Sequence, residues 1–115
     1  MYDPTTDSDI KNGMDELTYS KEVIRFLRMQ LDDFAIDCFR MVVKSGEDGL
    51  LKTKCGAYYQ QRKLFDYAFR VLEAQGFIEK KKVATMRPYC LTIRGKQLVQ
   101  YLAEEKQMKN RNDSI

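Results

Sequence analysis

Gly76 marks the point where this chain changes its hydrophobic period. Ahead of it Leu64, Phe65, Ala68, Phe69, Val71 and Leu72 recur at helical spacing. Behind it, Phe77 and Ile78, the run Glu79–Lys82 and Val83 alternate as a strand. Ala84 to Pro88 supply turn formers, and Tyr89, Cys90 and Leu91 read as a return strand. From Thr92 the helical period resumes through Ile93, Leu98, Tyr101, Leu102 and Met108. A chain that switches from helix to strand pair and back must place a hairpin between two helices. Gly76 can take the left-handed conformation that ends the first helix. Thr92 can cap the last one, and Gly95 removes a side chain where that helix must come close to its neighbours.

The same stretch holds the charge. From Lys52 to Lys96 there are eleven Lys and Arg residues against Asp66, Glu73 and Glu79, a net of +8, while the rest of the chain carries −5 of the overall +3. An excess concentrated in one block makes an electropositive face, which attracts polyanions. A length of 115 residues implies one domain with a modest core, for which dimerisation would help stability. No apolar run approaches the roughly 18 residues of a membrane span and no signal-peptide pattern is present, so a cytoplasmic protein is expected. Cys38, Cys55 and Cys90 lie far apart in odd number, which fits reduced thiols. Cys38 reads as a small buried apolar residue. There is no histidine, glycine-rich phosphate loop or paired-carboxylate motif. No catalytic residue, metal ligand or cofactor is therefore expected.

Residues 1–17 read as a flexible acidic arm with few apolar groups, among them Tyr2, Ile10, Met14 and Leu17. A helix follows from the Ser20 cap to Leu31, with Val23, Phe26, Leu27 and Leu31 on one face and Lys21, Arg25 and Arg28 opposite. Asp32 and Asp33 cap a second helix, apolar over more than half its circumference and therefore central, which stops at Lys44 and Gly46. Leu50–Leu51 can form a short extended piece. Thr53 is a candidate cap for a short helix, Lys54 to Tyr59, and Gln60–Lys63 a polar turn. The folded domain is expected over residues 18–109, with flanking dimerisation helices and a frayed tail over 110–115.

The order short helix, turn, helix ending in Leu72-Glu73-x-x-Gly76-Phe77-Ile78, basic hairpin, and Leu91-Thr92-x-x-Gly95-x-x-Leu98 resembles the winged helix-turn-helix superfamily. Among its branches it is similar to small regulators of the MarR and PadR types. It also resembles the TubR-type centromere-binding adaptors of plasmid partition systems. The resemblance covers about Phe34 to Ala103. It implies a mainly α fold with a small β-hairpin wing, no enzymatic activity and no cofactor. The turn Tyr58-Tyr59-Gln60-Gln61-Arg62-Lys63 departs from the Leu-Gly-Ile-Ser style of many members.

On that reading the helix after residue 61 enters the major groove with its N-terminal end against the bases. Arg62 and Lys63 are the candidates for guanine contacts and Gln61 for adenine. Tyr67 and Arg70 suit phosphates or base edges. Asp66 sits among them as a carboxylate that costs energy facing DNA unless it accepts from cytosine or pairs with Arg62 or Arg70. Lys80, Lys82 and Arg87 would clamp the backbone or enter the minor groove, and Thr53 and Lys54 would add backbone contacts. The expected function is sequence-specific binding of double-stranded DNA by a homodimeric transcriptional regulator. The alternatives are an adaptor that coats centromere repeats and recruits a partition NTPase, and a winged helix retained for protein interaction. The clustered aromatics would also suit stacking on single-stranded nucleic acid, although core packing accounts for most of them.

Overall fold

The structure is a computed structural model describing residues 17–113. The acidic arm lies outside these residues except for Leu17, as do residues 114 and 115. The described chain is mainly helical, with one small two-stranded antiparallel sheet. Helix α1 spans Lys21–Met29 and α2 Asp33–Ser45; α3 spans Arg62–Ala74 and α4 Ile93–Asp113. Strands β1, Ile78–Lys80, and β2, Tyr89–Leu91, lie between α3 and α4.

The helix boundaries follow local chemistry. Ser20 caps α1, its hydroxyl accepting from the Val23 amide at 3.2 Å. Asp32 caps α2 through the Ala35 amide at 2.8 Å. Gly76, at φ +83°, closes α3. The Gly76 amide donates to the Glu73 carbonyl and the Phe77 amide to that of Leu72, while Leu72 and Phe77 are both fully buried. This reciprocal pair satisfies the orphan carbonyls of the last turn. Helix α4 continues to Asp113, through residues read from sequence as a frayed tail.

The expected short helix from Lys54 to Tyr59 does not form. Thr53 lies instead inside a 3-10 turn, Lys52–Lys54, whose N-cap is Leu51, and successive turns lead to Gln61. Ala57 sits at φ +64°, next to Gly56, and a left-handed residue there breaks any helical path. Tyr58 still reaches the core, at 5 % exposure.

The hairpin is longer and tighter than its strands suggest. Ile78 pairs with Leu91, Glu79 with Cys90 and Lys80 with Tyr89. The Lys81 amide then donates to Pro88, and Val83 and Met86 exchange both backbone hydrogen bonds at 2.9 Å. The register is continuous to the end, and the turn shrinks from the expected Ala84–Pro88 to Ala84–Thr85, with Ala84 at φ +55°. On the other edge of β2, Leu50 and Tyr89 exchange hydrogen bonds at 2.9 and 2.8 Å, so the expected extended piece at Leu50 acts as a third, one-residue strand.

The core gathers Ala35, Cys38, Phe39 and Val42 from α2, Phe65, Ala68, Phe69 and Leu72 from α3, and Phe77, Ile78 and Leu98 around the sheet. Helix α2 is central, as its wide apolar surface requires. Helix α1 differs from its sequence reading. It buries Ile24, while Val23 and Phe26 stay 40 % and 62 % exposed. It meets α4 along a narrow seam, where Arg28 pairs with Glu105 at 3.1 Å instead of facing solvent.

Thr92 joins two structural events. Its hydroxyl donates to the Gly76 carbonyl at 2.6 Å and accepts from the Gly95 amide at 2.9 Å, so one side chain caps α4 and ties it to the end of α3. Thr92→Ala is expected to cost about 1–2 kcal/mol. Thr92→Ser should retain most of that stability, and urea unfolding of both variants measures the difference.

Candidate functional site

Helix α3 begins without the devices that start α1 and α2. Gln61 makes no side-chain capping bond, and no acid lies in the first turn. Arg62 and Lys63 occupy that turn instead, placing two cations against the positive end of the helix dipole. The compensation that α1 and α2 carry in their first turns is found here only one turn on, where Asp66 meets Arg62.

The four buried residues of α3, Phe65, Ala68, Phe69 and Leu72, define its inner face. At 100° per residue the opposite face is Lys63, Tyr67, Arg70 and Ala74, all exposed. Arg62, Asp66 and Glu73 form one flank, and Leu64 and Val71 the other. Lys63 and Arg70 make no ion pair with any described residue.

Asp66 behaves differently from its neighbours. Its Oδ1 accepts from the Tyr58 hydroxyl at 3.0 Å and meets Lys52 Nζ at 2.8 Å; its Oδ2 lies 3.8 Å from Arg62 Nε. The donating Lys52 ammonium, followed by the Tyr58 hydroxyl, holds the Asp66 carboxyl below the usual carboxylate range. Lys52 is raised in turn, chiefly by its hydrogen bond to Asp66. The carboxylate thus ties the 52–61 segment to α3. Its spacing from Arg62 is visible in sequence, but its partnership with Lys52 is set by the intervening turns and has no sequence signal.

The hairpin carries a second set of cations. Its register sets Lys82 opposite Arg87, on the face that also carries Lys80 and Tyr89. That face turns toward α3, since the Tyr89 ring packs on Phe69 with centroids 4.8 Å apart. Lys80 Nζ lies 5.5 Å from the centroid of the Tyr89 ring. Like charges directly opposite across a ladder are unfavourable, so Lys82 and Arg87 repeat the conflict seen at the start of α3. Lys81 falls on the other face. Of the sequence-predicted residues, Gln61, Arg62, Lys63, Tyr67, Arg70, Lys80, Lys82 and Arg87 are exposed, as are Thr53 and Lys54. The chain matches no protein-family model, no curated protein and no solved structure at a significant level.

Other features of the described residues bear on chemistry. Tyr58, Phe65, Phe69 and Tyr89 are buried, leaving Tyr59 and Tyr67 as the exposed aromatics of the cluster. Cys38 has its thiol pushed up to about 12, first by burial and then by the neighbouring Cys55, so it stays protonated and unreactive at neutral pH. Among the described residues no group of three His, Cys, Asp or Glu side chains could hold a metal ion, and no helix is long and apolar enough to cross a membrane.

Proposed function

We propose that this chain is a winged helix-turn-helix protein that binds specific duplex DNA as a homodimer and regulates transcription. The observation that carries this reading is the continuous register of the hairpin. It gathers Lys80, Lys82 and Arg87 on one face of the hairpin, and the outer surface of α3 separately presents Lys63, Tyr67 and Arg70. Helix α3 would enter the major groove with Arg62 and Lys63 foremost, and the hairpin would follow the adjacent backbone. Both sets of cations oppose each other or a helix dipole, and phosphates would relieve both conflicts. The 52–61 segment departs from the superfamily pattern, because turns stand where its first motif helix would be.

Apolar surface supports pairing of two copies. Phe26 and Met29 on α1 are 62 % and 72 % exposed, and Met108 on α4 is 66 % exposed. Large apolar side chains left exposed on a small protein suit an interaction surface. Two copies would read half-sites about 34 Å apart.

The test is selection of fragments from genomic DNA by the purified protein across a salt series. Recovery of a few intergenic sites is expected, with log affinity falling against log salt at a slope of about −5 or steeper. A dense array of repeats beside a replication origin would replace the regulator by a partition adaptor. No retention at low salt would refute DNA binding.

A further inference from the structure

The position of Asp66 goes beyond a set of surface cations and concerns how DNA sequence would be told apart. A carboxylate flanking a face proposed to meet phosphates would repel that ligand, and Asp66 is offset by the cations around it. Two of its three partners hold the carboxylate itself: Tyr58 at 3.0 Å and Lys52 at 2.8 Å both engage Oδ1. These contacts are half-buried, with Lys52 and Asp66 side chains 27 % and 33 % exposed. The third partner, Arg62, is 70 % exposed and meets the other oxygen through Nε at 3.8 Å.

The atom used matters. A guanidinium paired end-on through both terminal nitrogens cannot present that same fork to a base. Paired through Nε, it keeps the Nη1/Nη2 fork available, and that fork is the group that reads O6 and N7 of guanine. Arg62 is the first residue of α3, on a long side chain with several rotatable bonds. Asp66, one turn along the same helix, attracts the guanidinium toward its own side, at a distance longer than a hydrogen bond. Lys52 and Tyr58 in turn fix Asp66, so the arginine is referred to the core through a chain of contacts.

We propose that Asp66 is a positioning residue, anchored by Lys52 and Tyr58, that aims the terminal fork of Arg62 at a single guanine and so sets sequence discrimination more than affinity. This rests on the DNA-binding reading above. It also accounts for an acid within the positive face, because Lys52 offsets its charge and the remaining cations serve the backbone.

The test compares wild type, Asp66→Asn, Arg62→Lys and the double variant on two duplexes. One is the site that wild-type protein selects from a random pool, and the other is the same length with scrambled sequence. Asp66→Asn preserves shape and the hydrogen bond from Tyr58; Arg62→Lys preserves charge at an exposed position. Each single variant should lower the ratio of specific to scrambled affinity by about tenfold or more. Affinity for the scrambled duplex should hold or rise, since Asp66→Asn removes a negative charge. The double variant should lose no more than either single one, and reselection should show both variants relaxed at the same base pair. Equal losses on the two duplexes would reduce Asp66 to a structural residue and overturn the proposal. So would an unchanged ratio, or relaxation at different base pairs. Failure of wild-type protein to bind any duplex would instead remove the DNA-binding reading, and this one with it.

Discussion

Gly95→Ala should lower the stability of this protein by about 3 kcal/mol or more, dropping its melting temperature by about 15 °C. Gly95 is buried at the start of α4, where the helix passes Phe77, just ahead of β1, and Leu91 of β2. A Cβ there would collide with the Phe77 carbonyl oxygen and would lie 2.5 Å from Leu91 Cδ1. The leucine methyl can move a little. The carbonyl cannot, because Phe77 is fully buried and its oxygen already accepts from the Thr92 amide at 3.2 Å. Relieving the overlap would push α4 away from the sheet and pull apart the cap at Thr92. For a domain whose whole stability is about 5–15 kcal/mol, that is a large fraction. Thermal unfolding followed by circular dichroism gives the answer. Melting within 2–3 °C of wild type, on the order of a fraction of a kcal/mol, would mean that α4 does not approach β1 this closely.

Reversing two charges on α3 should abolish specific DNA binding without unfolding the protein. Lys63 and Arg70 are both exposed on its outer face, and neither pairs with a described acid. Lys63→Glu together with Arg70→Glu would remove two favourable contacts and install two repulsive ones. A loss of about 100-fold or more in affinity is expected, with melting temperature unchanged to within a few degrees. Reversing the charges at Arg40 and Lys44, both exposed on α2, should leave DNA binding within about threefold at fixed salt. Fluorescence anisotropy with a labelled selected duplex makes both comparisons. Equal losses from the two pairs would mean a diffuse electrostatic attraction in place of an oriented helix.

The hairpin shows what sequence can and cannot supply. Alternation between Phe77 and Leu91 reveals two strands, but the residues of the turn are set by which amides find carbonyls. Val83 and Met86 do so, leaving Ala84 and Thr85 between them. That register alone decides that Lys82 and Arg87 share a face. In the 52–61 segment the sequence suggests a helix, and the tertiary structure overrules it. There Tyr58 packs beside Phe65, Lys52 reaches Asp66, and Ala57 is left-handed, a conformation that a helix does not allow. Helix α1 presents the same problem at lower resolution. Its periodicity allows more than one buried face, and packing against α4 selects the one containing Ile24.

By itself the sequence determined the features whose causes are local: the caps at Ser20, Asp32 and Thr92, the left-handed stop at Gly76, the order helix, hairpin, helix, and the concentration of positive charge. These depend on one residue's conformational range or on groups three or four positions apart, which a linear reading contains. Only the tertiary structure decided which cations share a face of the hairpin and that Asp66 is held by Lys52 and Tyr58. It also decided that α1 leaves Phe26 and Met29 uncovered. Those outcomes depend on contacts between residues far apart in the chain, and they are fixed when the core closes and the helices take their places around it.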